Sequence, residues 1–326
     1  MSAYRAPWWL PGAHLQTIYP FFFLKWRPPT YRRTRIDTPD GDFIDLDWVG
    51  CERRDRPLVI LFHGLEGSSR SHHAIALMRA VVQRNWRGVV AHFRGCGGEP
   101  NRLPRAYHSG DAEEIGWILR RFRDDHPEAP IFAAGISLGG NALLKWLARD
   151  RLDVATVIDA AAAISAPVDL GRAGDRLGHG INYWYGRMFL HSLKIKSLEK
   201  LSRYPGLYDR QAVLRADTLR EFDNLVTAPL HGFRDTDDYW TRAAAKPELG
   251  EIELPTLLLH ARNDPFLPGE FLPEPATCPP SIECDFPDGG GHGGFVSGPF
   301  PGNLDWMPRR VLDFFARHAS AARRMS

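Results

Sequence analysis

A serine stands between two glycines in the pentapeptide Gly135-Ile136-Ser137-Leu138-Gly139. The apolar residues 131–134 before it are typical of a buried strand, and residues 141–149 after it have leucines spaced for one face of a helix. A serine at a sharp strand-to-helix turn projects its hydroxyl away from the backbone, and small residues two positions away on either side avoid a collision there. The pattern therefore predicts a nucleophile elbow with Ser137 as the nucleophile.

A serine hydroxyl needs a neighbouring imidazole to accept its proton before it can attack a carbonyl carbon. His292 is the candidate base because it lies in the glycine-rich residues 289–295, which follow the last predicted strand. A glycine-rich loop gives the backbone the freedom to bring a side chain over the elbow. His318 also follows that strand, but it falls inside a predicted terminal helix.

The imidazole in turn needs an acid that fixes its tautomer and stabilises its charge. Asp264 is the candidate because it follows a predicted strand at residues 256–260, and the catalytic groups of open α/β sheets gather at the carboxyl ends of strands. Asp285 and Asp288 are alternatives that lie nearer to the histidine in sequence but are less well placed by strand order.

The tetrahedral intermediate of such a reaction carries an oxyanion that backbone N–H groups must stabilise. Leu138, directly after the nucleophile, is expected to supply one donor. Leu65 is expected to supply the second, because it lies in the glycine-containing loop 63–69 after a predicted strand. His63 in this loop precedes the serine in the chain, so we expect it to support the loop and not to act as the base.

Alternating strands and helices must position these groups. Apolar runs predict strands at residues 58–62, 88–93, 131–134, 156–163, 256–260 and 281–286, and helical spacing predicts helices at 71–83, 111–125, 141–149 and from Pro308 onward. Residues 30–37 and 42–49 flank a Pro-Asp-Gly turn and predict an antiparallel hairpin. The expected fold class is α/β, with a mostly parallel twisted sheet covered by helices on both faces.

About ninety residues separate the strand that ends near residue 164 from the next one, which is too long for a simple crossover. We predict a helical cap of residues 165–250 inserted into a core formed by residues 1–164 and 251–326. Four cap residues are expected to line an apolar substrate pocket, namely Tyr183, Trp184, Met188 and Phe189. A helical subdomain that serves stability alone is the alternative.

Composition excludes several other classes of protein. The 41 Lys plus Arg nearly balance the 39 Asp plus Glu, and no long basic block is present, so no nucleic-acid partner is expected. The four cysteines are too scattered for a disulfide scaffold or a zinc site, which favours reduced thiols in a cytoplasm. Neither a metal nor a cofactor is expected for the serine chemistry described above.

Two aromatic stretches near the start of the chain raise the question of membranes. No apolar run approaches the roughly 20 residues that cross a bilayer, so no stable span is expected. Residues 8–10 and 21–24 are apolar enough for peripheral contact with a membrane surface. Packing of these aromatics across the domain or at the site entrance is the favoured alternative.

Together these residues resemble the α/β-hydrolase fold, specifically its YheT-like branch, which is related to abhydrolase-domain lipases and yeast medium-chain alcohol acyltransferases. The elbow and the histidine loop carry the resemblance together with residues 7–17, 63–69, 93–101 and 107–110. The resemblance implies a triad of Ser137, Asp264 and His292 and activity on carboxylic esters.

The expected function is therefore a metal-free serine hydrolase that cleaves small-molecule esters of apolar acyl groups through an acyl-enzyme. Transfer of the acyl group to an alcohol is the nearest alternative, because an alcohol can intercept the same intermediate. A non-catalytic ligand-binding protein on the same scaffold is the other, although every triad position carries a competent residue. The sequence does not predict the oligomeric state.

Overall fold

An eight-stranded sheet runs through the protein, whose computed structural model describes residues 3–24 and 26–322. The strands are β1 (Arg32–Asp37), β2 (Phe43–Gly50), β3 (Leu58–Phe62), β4 (Arg87–Ala91), β5 (Ile131–Ile136), β6 (Ala160–Ile164), β7 (Thr256–Leu259) and β8 (Ile282–Asp285). Their spatial order is β1-β2-β4-β3-β5-β6-β7-β8. The β1–β2 and β2–β4 pairs are antiparallel and all others are parallel, so the predicted hairpin and parallel sheet are confirmed.

Helices cover both faces of this sheet. The α-helices of the described residues, which include those of the segment between β6 and β7, are α1 (Ala13–Phe23), α2 (His72–Gln83), α3 (Ala112–Asp125), α4 (Leu138–Arg149), α5 (Arg151–Val157), α6 (Leu170–Leu177), α7 (Asn182–Arg203), α8 (Arg210–Arg215), α9 (Leu219–Phe222), α10 (Ala228–Leu230), α11 (Thr236–Ala243) and α12 (Trp306–Ala322).

The central strands are buried on both faces, as the continuous apolar runs predict. In β3, Leu58, Ile60 and Phe62 belong to the core beneath α3 and α4. Val59 and Leu61 point the other way, into the core beneath α2 and α12. This two-sided burial fixes the sheet, and the carboxyl ends of its parallel strands provide the rigid edge on which the candidate site is built.

The prediction of a strand over residues 156–163 is wrong at its start. Residues up to Val157 belong to α5, and β6 begins at Ala160. The run of β-branched residues favoured a strand, but Val154 and Val157 lie three positions apart and are both buried on one face of a helix. Tertiary packing therefore decides the conformation here against local propensity.

The segment between β6 and β7 contains α6 to α11, a π-helix at Asp223–Thr227 and a 3-10 helix at Lys246–Glu251. The segment has small cores of its own, one around Leu190, Val213 and Phe222 and another around Tyr239 and Trp240. We call it the insertion. Its exact division from the rest of the chain, at residues 165–250, stays a prediction.

Candidate active site

Ser137 occupies a strained turn between β5 and α4. Its backbone has φ 53° and ψ −121°, a conformation that residues with a Cβ rarely adopt. A Cβ on Gly135 would lie 2.4 Å from the carbonyl oxygen of Gly139, and one on Gly139 would lie 2.5 Å from the carbonyl oxygens of Phe62 and His63. The two glycines are therefore required because the backbone of β5, α4 and the end of β3 meets without room for side chains.

Replacing Gly139 with alanine is expected to lower the free energy of unfolding by about 3 kcal/mol, because backbone atoms of β3 must move to admit the methyl group. Gly171 offers a matched control, since it is also the second residue of its helix and a Cβ there meets nothing nearer than 3.8 Å. Urea denaturation measures the free energy of unfolding of Gly139→Ala and of Gly171→Ala. Equal midpoints for the two variants would contradict the packing explanation.

The structure brings Ser137, His292 and Asp264 into one hydrogen-bonded chain. The Ser137 hydroxyl lies 3.0 Å from Nε2 of His292, and Nδ1 of His292 lies 2.8 Å from Oδ2 of Asp264. Because Nδ1 donates to the carboxylate, Nε2 is left as an acceptor for the serine proton. The two alternative acids do not belong to this hydrogen-bonded chain. Asp285 forms an ion pair with Arg310, and the side chain of Asp288 is fully exposed.

The carboxylate of Asp264 is completely buried but well supported. Oδ1 accepts hydrogen bonds from the backbone N–H groups of Phe266 and Leu267, and Oδ2 also lies 3.2 Å from Nε2 of His260. Burial opposes ionisation of this carboxyl, but His292 and His260 outweigh it and hold its pKa below the usual range. The group therefore stays anionic next to the imidazole.

The loop that carries His292 is held by residues from distant parts of the chain. Gly290, Gly291 and Gly293 have positive φ, and their conformation turns successive N–H groups toward side-chain acceptors. Those acceptors are Gln16 Oε1 for Gly290, Asn263 Oδ1 for Gly291, Thr17 Oγ1 for His292 and Ser165 Oγ for Gly293.

Sequence reasoning missed these acceptors and the helix α1 that carries two of them. Gln16 and Thr17 lie in the segment 7–17 that contributed to the family resemblance, but no local pattern assigned them a partner near residue 292. Buried polar side chains on an otherwise apolar helix were the available signal, since Gln16 is nearly inaccessible in the structure.

The two predicted oxyanion donors face the same space as the serine hydroxyl. Leu65 and Leu138 both line the cavity at Ser137, and within residues 3–24 and 26–322 neither backbone N–H has a protein acceptor. A Cβ on Gly64 would lie 3.1 Å from Cβ of Ser137, so the loop before Leu65 approaches the nucleophile closely. Leu138 begins α4, where free N–H groups and the helix dipole favour a negative charge.

Buried polar contacts fix the shape of this loop. His63 Nε2 accepts a hydrogen bond from the N–H of Phe93, and Nδ1 donates to the carbonyl of Gly64. Burial lowers the pKa of His63 to about 3, which keeps the ring neutral and able to accept. Glu66, at φ 54°, is held by the hydroxyl of Tyr107, which accepts from its N–H and donates to its carboxylate. These contacts agree with the supporting role expected for His63.

A cavity of about 640 Å³ opens above Ser137, between the sheet edge and the insertion. Its apolar lining from the insertion includes Leu170, Leu177, Phe189, Leu193, Leu219, Phe222, Val226 and Leu230. Polar groups line another part, where Lys196 pairs with Glu66 and Lys200 donates to the side-chain oxygen of Asn101. Burial lowers the pKa of Lys200 to about 8. The chamber therefore offers an apolar wall and a separate basic region.

Of the four cap residues predicted to line the pocket, Phe189 does so and the other three do not. Tyr183, Trp184 and Met188 lie outside the lining, and the last two are 70% and 56% exposed. In α7 the cavity-facing residues follow Phe189 at helical spacing, which turns Trp184 and Met188 toward the outside. The prediction is therefore wrong for these three residues because it did not separate the two faces of the helix.

Two further observations concern metals and membranes. Across residues 3–24 and 26–322, no group of three His, Cys, Asp or Glu side chains is arranged to hold a metal ion. No helix in the same part of the chain is both long and apolar enough to traverse a bilayer.

Comparison with known proteins supports the same fold. A family model described as alpha/beta hydrolase fold matches residues 57–299. The chain is 40% identical over 317 residues to YheT of Escherichia coli (strain K12), named as a candidate esterase, with 95% of this chain and 92% of that one covered. It is 29% identical over 320 residues to phospholipase ABHD3 of Homo sapiens, with 95% and 78% covered.

Among solved structures, the esterase Pf2001 of Pyrococcus furiosus superposes with a TM-score of 0.58 at 17% identity, covering 90% of this chain and 94% of that one. At this identity the likeness concerns the fold alone. The family model matches most of the chain, and the chain is 40% identical to YheT over nearly its whole length. These two matches establish family membership as well as the fold. The chain belongs to the α/β-hydrolase family, within its YheT-like branch of esterase and lipase type.

Proposed function

We propose that this hydrolase is a serine carboxylesterase that cleaves esters of apolar acyl groups through an acyl-enzyme. The observation that carries the proposal is the hydrogen-bonded chain from the Ser137 hydroxyl through His292 to the buried carboxylate of Asp264. Its distances of 3.0 and 2.8 Å suit proton transfer from the nucleophile to a base whose tautomer is fixed.

In the first half of the proposed reaction, Oγ of Ser137 bonds to the ester carbonyl carbon while Nε2 of His292 accepts the hydroxyl proton. The carbonyl oxygen becomes an oxyanion, for which the N–H groups of Leu65 and Leu138 are the donors. The tetrahedral intermediate then collapses, the bond to the leaving alkoxide breaks, and His292 returns the proton to that oxygen.

In the second half, a water molecule attacks the acyl-enzyme carbonyl carbon as His292 accepts one of its protons. Collapse of this second intermediate breaks the bond to Oγ, and His292 protonates the serine oxygen as the carboxylic acid departs. No metal or cofactor takes part in the proposed sequence. Asp264 remains an anion throughout and stabilises the imidazolium that forms in each half.

The apolar wall of the cavity supports the proposed acyl preference. Leucine, valine and phenylalanine side chains of the insertion face Ser137 across the chamber, and burying an acyl chain against them is favourable by about 0.8 kcal/mol per methylene group. We infer that residues 165–250 act as the cap that forms this chamber.

We also propose a cytoplasmic location, which the scattered spacing of the four cysteines favours. All four are free thiols in the structure.

A fluorophosphonate probe tests the identity of the nucleophile. We expect one covalent adduct per chain, located on Ser137 by peptide mass spectrometry, and no adduct in Ser137→Ala. Ser109→Ala is the matched control and should label normally, because Ser109 also lines the cavity but its hydroxyl has no hydrogen bond to a histidine within the described residues. Labelling that persists in Ser137→Ala would identify a different nucleophile, and a wild-type protein that never labels would favour a non-catalytic binding protein.

Product analysis distinguishes hydrolysis from acyl transfer. A medium-chain acyl ester incubated with and without ethanol should yield mainly the free acid in both cases. Mainly ethyl ester at modest ethanol concentration would instead identify an acyltransferase, because the alcohol would then outcompete water for the same acyl-enzyme.

A further inference from the structure

The outer side of α1 and the loop around Phe300 expose large aromatic side chains that the free protein leaves in water. Trp8 is 92% exposed, Phe23 is 69% exposed and Phe300 is 74% exposed, and Phe21 and Phe22 are also more than half exposed. We call Trp8, Phe21, Phe22, Phe23 and Phe300 the aromatic face. Packing across the domain, the alternative favoured from the sequence, holds for Leu10 and Leu24 but not for these residues.

Ring contacts join much of this face into one surface. Phe300 lies 5.4 Å from Trp9, Trp9 lies 5.3 Å from Tyr19, and Tyr19 lies 5.1 Å from Phe23, measured between ring centroids. Phe21 and Phe22 contact each other at 5.0 Å. Phe300 is thus linked to Phe23 through the half-buried Trp9 and Tyr19, and Phe21, Phe22 and Phe23 are consecutive on α1. Scattered apolar residues on a surface need no explanation, but a group of exposed rings this close together marks an interaction site.

The charge around the aromatic face indicates which partner it fits. Residues 1–36 contain six of the 41 basic residues and none of the 39 acidic ones, so the remainder of the chain is net negative. Arg33 and Arg35 are engaged by Asp47 and Asp45 in the β1–β2 pair. Arg5 and Arg27 are exposed and, within the described residues, have no carboxylate partner.

A third arginine lies beside Arg27. The guanidinium of Arg79 stacks on the ring of Trp26 at 4.6 Å and donates to the carbonyl of Arg27. Like Arg5 and Arg27, it forms no ion pair with a carboxylate in the part of the chain described. Exposed aromatic rings flanked by unpaired arginines match the chemistry of an anionic lipid surface, where rings enter the headgroup layer and cations meet the phosphates.

The inserted segment extends this surface toward the candidate site. His14 of α1 stacks on Tyr185 of α7, and Ile181, Trp184 and Met188 around that tyrosine are exposed. Tyr185 contacts Phe266, which lies 4.2 Å from the ring of His292. The exposed Trp184 and Met188, which do not line the cavity, thus lie on the same helix whose Tyr185 contacts α1.

We propose that the aromatic face docks this protein on an anionic lipid bilayer as a peripheral, non-spanning contact. Docking of this kind combines burial of the rings with attraction of the arginines, so it requires both anionic lipid and low or moderate salt. The proposal is independent of the ester chemistry at Ser137, because it concerns a different surface.

Co-sedimentation with vesicles tests the proposal, using the Ser137→Ala protein so that no lipid can be consumed. Vesicles of phosphatidylcholine mixed with an equal part of phosphatidylglycerol should sediment the protein, and vesicles of phosphatidylcholine alone should not. Phe22→Ser with Phe23→Ser should weaken the partition coefficient at least about tenfold, since two rings no longer enter the interface. Arg27→Gln should weaken it about fivefold, the loss expected for one cation at an anionic surface.

Matched controls lie away from the face. Leu152 on α5 is 84% exposed, and Leu152→Ser should bind vesicles as the parent does, as should Arg54→Gln. Far-ultraviolet circular dichroism checks that every variant is folded. Equal binding to both vesicle types, or an unchanged partition coefficient in the double phenylalanine variant, would overturn the proposal. The proposal would also be overturned if the parent bound no vesicles but formed a dimer that the double phenylalanine variant did not form. A second copy of the chain would then be what covers the face.

Discussion

Replacing His292 with alanine is expected to lower kcat for ester hydrolysis by about 10⁵- to 10⁶-fold, the loss seen when a member of such a triad is removed. The serine hydroxyl would keep its strained position at the elbow, but the Nε2 acceptor 3.0 Å away would be gone. His63 cannot take its place, because its Nε2 is occupied by the N–H of Phe93 and burial keeps its pKa near 3. The residual rate would come from binding and the oxyanion donors alone.

Steady-state kinetics with a chromogenic acyl ester measure this loss, and the rate of fluorophosphonate labelling should fall with it. His318→Ala is the matched control, since His318 is the other late histidine but lies on α12 against Phe314. It should retain the activity of the natural protein. A His292→Ala protein that unfolds at the normal temperature yet loses less than about tenfold would exclude His292 as the general base.

The elbow was predictable because its sequence determines its own geometry. A serine at positive φ needs neighbours without side chains, and the positions of Gly135 and Gly139 satisfy that need within five residues of chain. The sheet was predictable for a similar reason, since unbroken apolar runs such as Leu58–Phe62 have few alternatives to a strand buried on both faces. Chain order then limited the base and the acid to a few late residues.

Features that depend on distant contacts were not predictable in the same way. The acceptor for the N–H of Gly290 comes from Gln16, 274 residues earlier, and no local periodicity announces such a pairing. Helix α1 itself was missed, because Pro20 and a run of phenylalanines obscure its helical spacing.

The lining of the cavity shows the same limit within one element. Helix α7 has aromatic or aliphatic residues on more than one face, so composition alone could not distinguish Phe189, which faces the chamber, from Trp184, which faces outward. The residues that pack against α7 determine which of its faces is turned toward the chamber. Leu190 contacts the core of the insertion, and that contact fixes the rotation of the helix about its axis.

Replacing Asp264 with asparagine is expected to lower kcat by about 10⁴-fold while leaving the fold intact, because the substitution reverses the tautomer of His292. The N–H groups of Phe266 and Leu267 both donate to Oδ1 of Asp264, so an asparagine would keep its carbonyl oxygen there. Its NH₂ group would then occupy the place of Oδ2, 2.8 Å from Nδ1 of His292. A donor at that position favours the imidazole with its proton on Nε2, which can no longer accept from Ser137.

Asp288→Asn provides the matched control, because Asp288 is nearer to the histidine in sequence but its side chain is fully exposed to solvent. We expect that variant to keep the kcat of the natural protein. KM should change little in Asp264→Asn, since the carboxylate is buried behind the imidazole and does not line the cavity. A loss of activity in Asp288→Asn together with a normal rate in Asp264→Asn would reassign the acid. The unfolding temperature of Asp264→Asn is the second check: an unchanged value assigns the lost activity to the tautomer, and a lowered value assigns it to structural damage.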